Sequence, residues 1–143
     1  MRILLTAVVS FLLFIPSLLA QDSLQVKWES SSVKNATGKY DIVLKGQINN
    51  GWHLYAKPDA TMALTGLVII VQHETITADS IRFLSPLEDY KDPIFENSVQ
   101  KIAKNNIELK LPIAASAAVP ASLKIKLNYD VAQQDNFLQE EQT

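Results

Sequence analysis

Cysteine is missing from all 143 residues of this chain, and that absence removes more chemistry than any other feature of the composition. Without a thiol the chain has no cysteine nucleophile, no thiolate metal site, no disulfide staple and no thiol–disulfide exchange by its own side chains. Histidine is nearly as scarce, with only His53 and His73. A zinc site needs three or four converging ligands, so two histidines on separate segments supply no ligand set, and neither a metal nor a cofactor is expected. Neither histidine sits in a hydrolase motif and no serine stands in a glycine-flanked elbow, which argues against a Ser-His-Asp system. The four glycines form no phosphate-cradling loop. Glu88, Asp89 and Asp92 cluster with Tyr90 and Glu96, but beside Pro86 and Pro93 they read as a solvated loop rather than an acid–base pair. No catalytic residue is expected.

Positive charge is also in short supply. The first 20 residues have the layout of a secretory signal peptide: Met1-Arg2 is the positive start, Ile3 to Leu19 is almost wholly apolar, and Ala20 is a small residue before Gln21-Asp22-Ser23. Cleavage after Ala20 is the expected processing. The alternative is an uncleaved anchor, although the run barely spans about 30 Å of hydrocarbon and Pro16 interrupts its last turn. Residues 21–143 then form one domain. Losing Arg2 leaves 12 of the 13 basic residues against 15 acidic ones, a net charge near −3. Lysines scattered along a mildly acidic domain leave no footprint for nucleic acid, and membrane contact is expected only through the leader.

What the domain does have is alternation. Leu123, Ile125, Leu127, Tyr129 and Val131 alternate with Lys124, Lys126, Asn128 and Asp130, so a strand within Ser122 to Gln139 has one apolar and one polar face. Beyond it, Ala132 to Leu138 reads as a polar loop closed by Phe137 and Leu138. Leu24, Val26 and Trp28 mark a first strand, and Tyr40, Ile42, Leu44 and Ile48 a second after a turn at Asn35 to Gly38. Asn49-Asn50-Gly51 is a hairpin signal, predicting that Trp52-His53-Leu54-Tyr55 folds straight back. Gly66 to Val71 reads as a strand covered on both faces or bent at Gly66. Short strands are also expected around Ile81 and Phe83, over Phe95 to Ile102, and over Ile107 to Ile113, where Pro112 suggests an edge.

About eight short strands, turn signals every 8 to 12 residues and no convincing amphipathic helix predict an all-β, immunoglobulin-like antiparallel sandwich, with a barrel as the alternative. Trp28, Phe83 and Phe95 read as core. Trp52, Tyr55, Tyr90, Tyr129 and Phe137 could fill the core as well or line a groove. Phe137 lies among polar neighbours, so its burial requires another loop or a partner.

Three stretches in order resemble the N-terminal periplasmic domain of the thiol:disulfide interchange protein DsbD. They are Gly51-Trp52-His53-Leu54-Tyr55-Ala56-Lys57, then Tyr90-Lys91-Asp92-Pro93-Ile94-Phe95-Glu96, then Tyr129-Asp130-Val131-Ala132 on to Leu138. The resemblance covers essentially residues 21–143 and implies the immunoglobulin-like fold reached from the strand count. It further implies that two redox cysteines of the family fall on Ala132 and on Phe137, or on Leu138 with the longer spacing, and that the stretch around Glu88, Asp89 and Tyr90 caps that pair. The prolines that usually follow the second cysteine are replaced by Gln139-Glu140-Glu141. The family's membrane-embedded and thioredoxin-like domains lie outside these 143 residues. The expected function is therefore a redox-inactive protein-binding module of the cell envelope, located in the periplasm. Its candidate binding face comprises Tyr90, Asp92, Tyr129, Phe137 and Leu138, and its partner is a periplasmic or cell-surface protein. The alternative is an accessory subunit of thiol–disulfide exchange whose partners supply the thiols.

Overall fold

The computed structural model describes residues 23–143, so the leader and its cleavage site lie outside the described residues. Two antiparallel sheets face each other, as an immunoglobulin-like sandwich requires, and the barrel alternative falls away. The first sheet is built from β1 (Val26–Ala36), β2 (Lys39–Ile48), β9 (Asn106–Ala115) and β5 (Ile76–Ala78) in that order, with β6 (Arg82–Phe83) also pairing to β9. In the second sheet β11 (Asn136–Gln142), β10 (Ile125–Gln133), β3 (His53–Tyr55), β8 (Ser98–Lys104) and β7 (Glu88–Asp92) run side by side, and β4 (Val68–Val71) also pairs to β10. The inward alternate residues meet in one core, with Val26, Leu44, Leu109 and Leu111 of the first sheet against Leu54 and Val131 of the second.

Several expectations need correction. Asn49-Asn50-Gly51 does turn, with Gly51 at φ 82° and Trp52 N–H donating to Asn49 O at 3.0 Å, but it forms no hairpin. Both edges of β2 are already occupied, by β1 and β9, so the chain crosses to the second sheet, where β3 pairs with β10 and β8. Ala132 to Leu138 is not a loop: β10 continues to Gln133, turns at Gln134 and Asp135 with Gln134 at φ 53°, and returns as β11. This last strand was hidden because an edge strand is half solvated, and Asn136 to Gln142 is polar on that account. Glu88 to Asp92 is likewise a strand rather than a solvated loop, and a 3₁₀ turn over Pro93–Phe95 precedes β8, which begins only at Ser98.

Pro112 does not mark an edge, because β9 is flanked on both sides. Its carbonyl accepts from Asp79 N–H at 2.9 Å, so the missing N–H points the same way, into the gap between β5 and β6, where no ladder bond is lost. Asp130, placed by alternation on a polar face, is 1% exposed, and its Oδ2 accepts the N–H groups of Thr65 and Gly66 at 2.7 and 2.9 Å. Of the two readings of Gly66 to Val71, the bend holds: Ile70 is exposed, whereas Gly66 sits at φ 67° with room for no Cβ, since one would lie 2.5 Å from the Lys57 carbonyl carbon. Gly66→Ala combines left-handed strain with a backbone clash, and denaturant unfolding should show a loss of about 2 kcal/mol.

Candidate functional site

Strand parity sorts the predicted residues. On β10, Leu127, Tyr129 and Val131 point into the core, so Ala132 belongs to the outer face of the second sheet. Ala132 stands opposite Phe137 on β11 and opposite His53 on β3, while Tyr55 stands opposite Ile102 on β8. These outer-face residues form a second apolar cluster of Tyr55, Leu64, Ile102 and Ala132, against which Tyr90, Ile94, Phe95 and Phe137 pack.

The cover comes from two segments, the turn after β3 that buries Leu64 and the stretch running from β7 into the 3₁₀ turn. Phe95 of that turn lies edge-on to Phe137, centroids 5.7 Å apart, and edge-on to Tyr55 at 5.6 Å; Tyr55 and Phe137 are 5.9 Å apart. Such pairs each contribute about 0.5–1.5 kcal/mol beyond simple burial. Phe137 is thus half-buried beneath Phe95, which supplies the intramolecular contact that its polar surroundings demanded, and Ala132 is fully buried.

Asp92 fastens this cover. It is 1% exposed, contrary to the solvated-loop reading. Its Oδ1 accepts from Ile94 N–H at 2.9 Å, capping the 3₁₀ turn, and its Oδ2 accepts from the Tyr55 hydroxyl. Asp followed by proline at the first helical position is a recognisable cap signal, and Asp92-Pro93 carries it in the sequence. Burial, reinforced by Asp92, raises the Tyr55 phenol far above its ordinary range, which keeps it a donor. His53 is buried with its Nε2 3.6 Å from Asp92 Oδ2, beyond hydrogen-bond length but within ion-pair distance for a protonated ring. Burial lowers the His53 pKa, and the favourable pull of Asp92 does not fully offset it. The Glu88 and Asp89 side chains are exposed and pair with Lys104 at 3.1 Å and Lys101 at 2.6 Å.

Two residues of the expected face lie elsewhere. Tyr129 is on the inner face, edge-on to Trp28 at 5.8 Å and hydrogen-bonded to the Gln142 amide. Leu138, opposite Val131, shares that inner side at the sheet's edge. Tyr90, Asp92, Ala132 and Phe137 do come together. Sequence reasoning passed over His53 and Tyr55 as partners of Asp92, although alternation within Trp52-His53-Leu54-Tyr55 already puts them on one face. Among the described residues no group of three or more His, Asp or Glu side chains is placed to hold a metal.

No protein-family model matches the chain, and no curated protein does. Solved structures do. The N-terminal periplasmic domain of ScsB from Proteus mirabilis superposes with a TM-score of 0.63 at 11% identity over 85% of this chain, which spans 46% of that one. The DsbD N-terminal domain of Neisseria meningitidis, in its reduced form, gives 0.55 at 17% identity, covering 85% of this chain and 89% of the other. What is shared at these identities is the fold: this chain is an immunoglobulin-like β-sandwich similar to the N-terminal domains of ScsB and DsbD, with no cysteine in it.

Proposed function

We propose that the protein is a redox-inactive binding module of the bacterial cell envelope, which holds a protein partner on the outer face of its second sheet around Tyr90, Phe95 and Phe137. One observation carries this reading. Ala132 and Phe137, the two positions that the resemblance equates with redox cysteines, are cross-strand partners beneath an aromatic cover, and neither carries sulfur. Without a thiol the chain forms no mixed disulfide, and what the site retains is recognition. Half-buried aromatic side chains at a rim are the residue types on which interface hot spots are built. The proposed compartment is the periplasm, on the strength of the leader-like run Ile3 to Leu19 and of the periplasmic origin given for the ScsB domain.

The test is capture of envelope proteins by the immobilised protein, followed by affinity measurement on the identified partner. Phe137→Ala and Tyr90→Ala should each weaken binding by roughly tenfold or more, the hot-spot range. Partners indifferent to both changes would rule this face out.

A further inference from the structure

We propose that Asn50 is a site of spontaneous deamidation: the Gly51 backbone nitrogen attacks the Asn50 side-chain carbonyl carbon, and the main product is an isoaspartyl turn at the entry to β3. The inference stands apart from the binding reading, since it concerns the chemistry of this turn and needs no partner.

Of the eight asparagines, Asn50 alone is followed by glycine. The attack closes a five-membered ring across two adjacent residues, and a side chain on the second would shield its nitrogen, so glycine leaves that nitrogen least hindered. The structure leaves both reactants idle. Asn50 and Gly51 are exposed, and neither the Asn50 amide nor the Gly51 N–H is engaged in a hydrogen bond among the described residues. Asn49 differs on each count: its side-chain amide donates to Gln25 Oε1 at 3.0 Å, its N–H donates to Gln25 O at 2.9 Å, and the residue after it carries a side chain. The turn's own bond, Trp52 N–H to Asn49 O, spans the Asn50–Gly51 peptide without using it.

The fold cannot escape this chemistry by replacing the glycine. Gly51 holds φ 82°, which L side chains rarely adopt, and a Cβ there would run into the Gln133 side chain. Geometry keeps the glycine, and reactivity comes with it.

In the first step the Gly51 nitrogen gives up its proton to solvent and bonds to Asn50 Cγ, while the Cγ–Nδ2 bond breaks and Nδ2 departs as ammonia. Water then opens the succinimide. Attack at the main-chain carbonyl gives isoaspartate, and attack at the side-chain carbonyl gives aspartate, with no oxidation or reduction in either case. Both products add a negative charge. Isoaspartate also adds a methylene to the main chain between Asn49 O and Trp52 N–H, a path that the 3.0 Å turn bond fits without it. The residue that follows is His53, the cross-strand partner of Ala132.

Incubation of the purified native protein at neutral pH and physiological temperature tests this, read by peptide mass spectrometry that localises each amide-to-acid conversion. Conversion at Asn50 should run roughly tenfold or more ahead of every other asparagine, as the unhindered glycine nitrogen requires, with isoaspartate the larger product. No conversion at Asn50, conversion there only after denaturation, or an equal rate at another asparagine overturns the site. Ion exchange separates the converted protein by its added charge. Asn50→Gln should yield no such fraction, and its appearance in that variant would place the reaction elsewhere. A lower thermal midpoint in the isoaspartyl fraction supports the lengthened turn, and an unchanged midpoint overturns that part. The Phe137→Ala and Tyr90→Ala affinities, on which the binding reading stands, are independent of all these results.

Discussion

Asp92→Ala should destabilise the protein by about 3–5 kcal/mol, the range for removing one member of a buried, hydrogen-bonded charged group. Two donors lose their acceptor at once: the Tyr55 hydroxyl and the Ile94 N–H, both bonded to Asp92. The Tyr55 hydroxyl belongs to a fully buried side chain, packed edge-on against Phe95, and has no water to turn to. The midpoint of thermal unfolding should drop by roughly 10 °C for a domain of this size. Tyr55→Phe, which leaves Asp92 bonded to Ile94, should cost only about 1–2 kcal/mol. Equal losses in the two variants would mean that the carboxylate does no more than accept from Tyr55, and that the capping of the 3₁₀ turn contributes nothing.

Placing sulfur at Ala132 and Phe137 should have the largest chemical effect. The double variant Ala132→Cys/Phe137→Cys is expected to oxidise to an intramolecular disulfide in air, whereas either single variant keeps a free thiol. Ala132 and Phe137 are the first pair beyond the closing pair of a two-residue hairpin, Gln133 with Asn136. Ladder alternation makes such a pair the non-hydrogen-bonded kind, whose side chains lie closest, within reach of a disulfide after a small adjustment. The loop closed is short, so the bond's own contribution is roughly 2 kcal/mol on a loop-entropy scale, offset by loss of the Phe137 ring contacts. Thiol titration under denaturing conditions reads the outcome directly. Two titratable thiols persisting after oxidation would show that the scaffold does not hold these two positions within disulfide reach.

How far the sequence reveals this site depends on what each signal measures. Period-two alternation found β2, β9 and the body of β10, because each has one face in the core and one outside it. It placed Tyr129 on an apolar face correctly yet assigned Asp130 to solvent, since periodicity cannot know that a loop at Thr65 and Gly66 will fold down onto the outer face and need an acceptor there. The same blindness turned β7 into a loop. Glu88, Asp89 and Lys91 look solvated, and they are, but Tyr90 and Asp92 face a cover that the strand itself helps to make. The resemblance located Ala132 and Phe137 where the hairpin sets them opposite one another, but put Tyr129 and Leu138 with them by nearness along the chain. One residue's displacement along a strand reverses its face, and that is why proximity in sequence misleads in a sheet.

The crossing of the chain between sheets after β2 has a kinetic consequence. Because Trp52 to Tyr55 cannot close a local hairpin, β3 must wait for β8 and β10, and β2 for β9. Even the beginning of the described chain is tied to its end, Gln25 N–H donating to the Glu140 carboxylate 115 positions away. Pairing over such separations places folding in the millisecond-to-second regime of β-sandwiches, and a growing chain completes its first sheet only when β9 has emerged and its second only when β11 has.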